Sequence, residues 1–258
     1  MRRWIRCFGW AVCVAYLPVG QVGAQALHSG HDMSATHAAG ADMKGHMEDD
    51  ATYYKVSFDR LEWHEDSDES ALVWNAKAWV GKDFNRLYVR SEGESVNGNA
   101  QHAAVEALWV RPLSPWWNLG VGLRQDMRPA PSRSWLALGA IGLAPYRFAV
   151  EATAYLATGG RTAVRLETEY DLLLTNRLVL QPRLELNAYG ESDRSRGIGA
   201  GLSDMEAGLR LRYEIRREFA PYIGLVWARR FGLTEEIAQA AGRPPGELQS
   251  VVGLRAWF

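Results

Sequence analysis

Beyond position 13 the chain has no cysteine: its two, Cys7 and Cys13, both lie in the first apolar run. Any metal site further along must therefore use His, Met or carboxylate, and disulfides are excluded there. After that first run no apolar stretch approaches the roughly 20 residues a helix needs to cross a bilayer. The longest uncharged one, Ser134–Tyr146, is interrupted by glycines and a proline. There is no basic excess either. Lys and Arg number 29 against 30 Asp and Glu, a net charge of −1, which gives no footprint for nucleic acid. Histidine is scarce, six in all, and only His64 and His102 lie past position 50. Neither sits in a nucleophile motif, and no His/Cys cluster suits a metallo-oxidase, so the expectation is a protein that is not an enzyme.

What is present begins with a targeting pattern. Arg2, Arg3 and Arg6 precede an apolar run from Cys7 to Val19, followed by small residues at Ala24 and Ala26. Residues 1–26 are expected to be a secretory signal peptide; the twin arginine lacks the surrounding consensus of the alternative export route. Residues 27–51 are low in complexity, rich in Ala, Gly, Ser, Asp, His and Met, and are expected to form a disordered, mildly acidic tail.

Near Tyr53 the pattern changes to strict alternation. In Val164–Tyr170 the residues Arg165, Glu167 and Glu169 oppose Val164, Leu166 and Tyr170. In Leu178–Ala188, Arg183 and Glu185 oppose Leu184 and Leu186; in Glu206–Ile215, Arg210 and Arg212 oppose Leu209, Leu211 and Tyr213. Period two means strand with one polar and one apolar face. Twelve such segments can be counted, at about 53–63, 71–81, 85–95, 101–112, 116–127, 133–144, 146–157, 161–172, 177–190, 203–216, 220–230 and 248–258. Most are about ten residues or longer, the length of a membrane-crossing strand rather than a soluble one.

The connections also alternate. Short ones around 82–85, 111–115, 144–145, 175–176 and 217–219 lie between longer or more polar ones at 64–70, 93–100, 126–132, 158–160, 191–202 and 231–247. Short turns on one rim and longer loops on the other describe an antiparallel transmembrane β-barrel over residues 52–258. An even strand count places both termini, and hence the tail, on the short-turn, periplasmic side. Trp116, Trp117, Tyr146, Phe219, Tyr222 and Trp257 at one end, with Trp63 and Trp135 at the other, are candidates for interfacial girdles. A soluble β-sandwich is the competing architecture. Its core would have to bury Glu151, Arg165, Glu167, Glu169, Arg183, Glu185, Arg210 and Arg212, which a barrel lumen accepts more readily. The mixed signs point to cross-strand pairing that partly fills the lumen.

The tail concentrates His28, His31, Met33, His37, Met43, His46 and Met47. Imidazole suits copper, zinc and nickel, whereas thioether selects copper(I), so the mixture favours copper, as Cu(I) and/or Cu(II), over zinc. In the barrel, His64, His102, Met127 and Met205 are candidates for an upper metal site, joined by Glu92, Asp126 and Glu206; each taken singly is also an ordinary surface or packing residue. The lumenal carboxylates Glu151, Glu167, Glu169 and Glu185 could serve as passing oxygen ligands, but ion pairing with Arg165 and Arg183 is the favoured role.

Several segments resemble the copper resistance protein B family. They are LVWNAKAWVGKDFNRLYVRSEGE (Leu72–Glu94), GLAPYRFAVEATAYLATGGRTAVRLETEYDLLLTNRLVLQPRLELNAYG (Gly142–Gly190) and the closing AWF. The final LRAWF is also similar to the carboxy-terminal signature of outer-membrane barrels. The resemblance implies an outer-membrane barrel, in contact with lipid, that binds copper ions and contributes to copper resistance. It would do so by sequestering periplasmic copper or moving it outward, with periplasmic copper-handling proteins as candidate partners. The tail departs from the family in being short, without repeated Met-rich motifs, which favours capture or delivery over bulk storage. The alternative is a general porin-like or structural barrel whose tail has no essential metal role.

Overall fold

The computed structural model describes residues 51–65 and 70–258, with only the backbone of Glu65. The signal peptide and the His/Met-rich tail lie outside the described residues. From Tyr53 the chain forms thirteen strand segments. They are β1 (Tyr53–Glu65), β2 (Ser70–Lys82), β3 (Asn85–Val96), β4 (Asn99–Pro112), β5 (Trp117–Arg128), β6 (Arg133–Ala144), β7 (Phe148–Ala157), β8 (Thr162–Glu169), β9 (Leu172–Leu173), β10 (Leu178–Tyr189), β11 (Gly201–Tyr213), β12 (Phe219–Arg230) and β13 (Gly246–Trp257). Every pairing is antiparallel and, apart from β8 with β10, joins sequence neighbours, while β1 pairs with β13 to close the cylinder. Because β8 and the two-residue β9 both pair with β10, they share one stave. The result is a closed barrel of twelve staves.

The alternation seen in the sequence is inverted relative to a water-soluble protein. Along β8, Val164 and Leu166 are 51% and 36% exposed, while Arg165 and Glu167 between them are 7% and 5% exposed. The same holds on β5, where Leu119, Val121 and Leu123 face out. A continuous apolar outer wall of this extent would be an association hazard in water and is the surface required by lipid. The charged residues that a soluble core rejects fill the interior.

The first and last strands of the barrel begin and end on the rim that carries the short turns: the Val56 amide donates to the Phe258 carbonyl at 3.0 Å, and the Phe258 amide donates back to the Val56 carbonyl at 2.8 Å. Exposed Tyr53, Phe84, Trp116, Tyr146, Phe219 and Phe258 ring this rim. Two residues expected in the girdles do not belong to them. Trp135 is buried and donates its indole N–H to Asp126 Oδ2 at 2.8 Å; Tyr222 is buried and donates its hydroxyl to Glu62 Oε1 at 3.0 Å. Strand parity turns both inward, and each ring brings a polar tip to a lumenal carboxylate.

The opposite rim departs from expectation in two places. The segment 93–100 is not a loop: β3 and β4 continue to a two-residue turn at Asn97 (φ 50°) and Gly98 (φ 82°), flanked by the pair Val96 and Asn99. Two consecutive positive φ angles are the mirror-image turn that Asn-Gly adopts most readily. The loop 231–247 contains a helix, α1 (Gly232–Ala240), fastened by Thr234, whose Oγ1 accepts from the Gly199 amide and lies 2.8 Å from Ser203 Oγ.

Inside the barrel a small apolar cluster of Leu108, Trp135, Ala137 and Tyr155 occupies one wall. Gly120 and Gly139 make room for Leu108; a Cβ on Gly139 would stand 3.2 Å from its Cδ1. Val226 and Val251 are buried elsewhere in the barrel, and the large charged side chains occupy most of the remaining interior.

Candidate functional site in the lumen and its mouth

Four glutamates stand side by side on one rung. Glu151 faces Glu167, Glu167 faces Glu185, and Glu185 faces Glu206 across β7, β8, β10 and β11. Adjacent like charges destabilise a sheet, so this row needs compensation. It comes from basic side chains on the row and from across the barrel. Arg183 reaches Glu167 at 3.1 Å, Glu185 at 2.5 Å and Glu206 at 2.9 Å. Lys77 on β2 reaches Glu151 at 2.6 Å and Arg90 on β3 reaches it at 3.0 Å. Arg60 on β1 reaches Glu206 at 3.0 Å.

Further cross-barrel pairs sit nearby. Arg165 lies 2.6 Å from Glu92 and 3.1 Å from Glu185, and Arg124 lies 2.8 Å from the same Glu92. Arg90 also bonds Glu106 at 2.8 Å, and Tyr155 donates to the second oxygen of Glu106 at 2.8 Å. Glu62 accepts from Arg210 at 2.5 Å. Charges removed from water are costly unless each is paired and hydrogen-bonded; here most are. Glu167 and Glu185 make the expected ion pairs with Arg165 and Arg183. Glu151 pairs instead with Lys77 and Arg90, and Glu169 is contacted by Gln181 at 3.4 Å.

Above this network, toward the long-loop rim, lies a cavity of about 330 Å³. His64, His102, Trp74, Glu94, Glu206 and Gln249 are among its lining residues. His64 is held at both ring nitrogens, Nδ1 at 2.8 Å from Gln249 Oε1 and Nε2 at 3.1 Å from Glu62 Oε2. His102 faces Glu94 across the β3–β4 pair, and its imidazole makes no side-chain hydrogen bond among the described residues. The two histidines expected to share an upper site thus share one cavity. The two methionines do not join them. Met127 is 48% exposed on the outer face that carries Leu119, Val121 and Leu123, and Met205 falls on the alternation face of Leu209, opposite Glu206. Among the described residues no three His, Cys, Asp or Glu side chains converge as a metal-holding group. The tail residues His28, His31, Met33, His37, Met43, His46 and Met47 lie outside the described residues.

Glu62, Lys77, Arg90, Glu106 and Arg124 join the lumenal residues expected from the sequence. The signal was available for Arg90 and Glu92, which alternate with Val89 and Ser91 in β3. It was hidden around Glu62 by the bulge between Phe58 and Leu61, which resets the parity of β1.

The comparisons with known proteins agree with this architecture. The family model described as Copper resistance protein B precursor (CopB) matches residues 52–258. Copper resistance protein B of Escherichia coli is 46% identical over 222 residues, covering 86% of this chain and 75% of that protein. The Copper resistance protein B homolog of Pseudomonas syringae pv. tomato is 49% identical over 200 residues, covering 78% of this chain and 68% of that one. Among solved structures, the NanC porin superposes with a TM-score of 0.54 at 13% identity, over 79% of this chain and 99% of the porin, a likeness of fold alone.

Proposed function

The chain belongs to the copper resistance protein B family, and from that premise we propose that it is an outer-membrane barrel that takes copper as cargo, not as a resident cofactor. The tail before the barrel collects the ion in the periplasm, and the barrel holds it or passes it outward. The match over the whole of residues 52–258, behind a segment carrying four of the six histidines, is the observation that carries this reading.

The chemistry of the two parts is complementary. Imidazole and thioether together can hold both oxidation states of copper. A ligand-poor mouth, with His102 free and His64 tied to neighbours, gives a weak station, and a transported ion needs weak stations in order to leave. A resident metal would need a closed ligand set. The lumenal ion pairs favour this reading over a general porin, because they occupy the space through which small solutes would diffuse. The protein acts as a carrier or sink, without catalysis.

The reading is tested in cells lacking their own copy. Expression of the intact chain should raise growth tolerance to copper salts, and deletion of residues 27–50 should remove most of the gain while the barrel still reaches the membrane. Equal tolerance with and without those residues would favour the porin-like alternative.

A further inference from the structure

Arginine is used in two opposite ways in this barrel. In the lumen Arg90, Arg165, Arg183 and Arg210 are buried and each bonds at least one carboxylate. On the short-turn rim, Arg111, Arg147, Arg177, Arg216 and Arg217 are exposed, and their side chains have no hydrogen-bond or ion-pair partner among the described residues. Each lies within a few residues of an exposed apolar side chain, such as Trp109, Tyr146, Leu174 or Phe219. Two of them line cavities. Arg147 shares one of about 390 Å³ with the carboxylates Glu169 and Asp171. Arg111 lines a groove of about 530 Å³ on the outer wall with no acidic residue, among Trp109, Leu113, Leu119, Val121 and Leu138. Trp109, Val121 and Leu138 stand in register across β4, β5 and β6, and Arg111 faces Leu119 one step nearer the rim. The groove therefore runs from a cation at the interface up into the apolar band.

We propose that this groove binds a glycerophospholipid, its phosphate on the Arg111 guanidinium and one acyl chain along Trp109, Val121 and Leu138. Guanidinium offers paired donors to phosphate oxygens and is less strongly hydrated than an ammonium. The apolar floor selects a molecule with a hydrocarbon chain, which an acidic peptide lacks. The volume is in the range of specific ligand pockets. Assigning the lipid to the periplasmic leaflet rests on the orientation proposed above; the binding itself does not, so failure of the copper reading would leave this test unaffected.

The test is native mass spectrometry of the full chain, released from detergent after equilibration with dipalmitoyl phosphatidylglycerol or with dipalmitoylglycerol, which lacks the phosphate. The intact protein should retain the phospholipid and not the diacylglycerol. Arg111→Gln should lower retention about tenfold, the order of one charge-assisted contact. Arg111→Lys should restore part of it, and Leu138→Trp, which fills the groove without touching the charge, should also lower it. Arg177→Gln, which lies away from the groove, should leave retention unchanged and serves as the folded control. Equal retention by Arg111→Gln would overturn the proposal. So would equal retention of the diacylglycerol, or displacement of the phospholipid by polyglutamate, which would make the rim a face for acidic polypeptides.

Discussion

Glu92 on β3 and Arg165 on β8 have four strands, β4 to β7, between them along the wall, yet Arg165 Nη1 stands 2.6 Å from both carboxylate oxygens. The pair crosses the interior. With Lys77–Glu151 and Arg60–Glu206 it braces the lumen from one wall to another. Removing one partner leaves the other charge buried and uncompensated, at a cost of roughly 3–5 kcal/mol. Glu92→Gln should therefore lower stability by about that much, since it strips both Arg165 and Arg124. The double variant Glu92→Gln/Arg165→Met should lose less than the sum of its two single variants. Urea unfolding in lipid vesicles, followed by tryptophan fluorescence, measures this; strict additivity would mean that the two side chains act independently.

The same bracing predicts electrical behaviour. In planar bilayers the intact barrel should pass far less steady current than an open porin. The Glu92→Gln/Arg165→Met variant should conduct more, because it removes a cross-barrel tie. A large open conductance in the intact protein would contradict a filled lumen.

The mouth makes a prediction about ligands. In a barrel lacking residues 27–50, His102→Ala should abolish most of any remaining copper binding, since this imidazole is not already engaged. His64→Ala should weaken it and also loosen Glu62 and Gln249. Met127→Leu and Met205→Leu should change nothing, because alternation places both on the outer face. Isothermal titration with copper(II), and competition with a chromophoric chelator for copper(I), separates these outcomes.

The order of the loop at 190–200 should depend on pH. Burial opposes ionisation of Asp193, but hydrogen bonds from Ser195 and Arg133 and the nearby charges of Arg133 and Arg161 outweigh it, and its pKa falls to about 2. A carboxyl depressed in the folded state contributes its tie fully above the unfolded value of about 3.9 and loses it as pH falls through the folded one. Hydrogen exchange of the Asp193 and Ile198 amides, which close the loop at 2.7 and 3.0 Å, should thus be protected at pH 5 and lose protection between about pH 4 and 2. Asp193→Asn should show reduced protection at pH 5 and a flatter profile.

Much of this was legible in the sequence because a barrel wall in lipid has only two environments. Val164-Arg165-Leu166-Glu167 states which residue meets which, and long strands with matching turns follow from it. The places that resisted reading are those where a local device overrides the period. The bulge after Phe58 reverses the parity of β1 and hid Glu62. Trp135 and Tyr222 looked interfacial from their position near strand ends, but parity carries both inward to carboxylates. Asn97-Gly98 was a recognisable turn that was absorbed into a longer polar loop, and α1 is too short for its period to stand out. For Met127 and Met205 the alternation was readable all along; chemical type drew attention away from the face. The cross-barrel partners could not be inferred, since nothing in β3 names β8.

The most direct test of the account is metal content. The purified protein in detergent, intact and with residues 27–50 deleted, would be dialysed against copper(I), copper(II) or zinc and assayed by elemental analysis. The account predicts that the intact chain retains copper in preference to zinc and that the deletion removes most of it, leaving at most a weak barrel-bound remainder that depends on His102. Equal copper content in both forms would contradict the tail as the site of capture, and absence of copper from both would contradict a copper-handling barrel altogether.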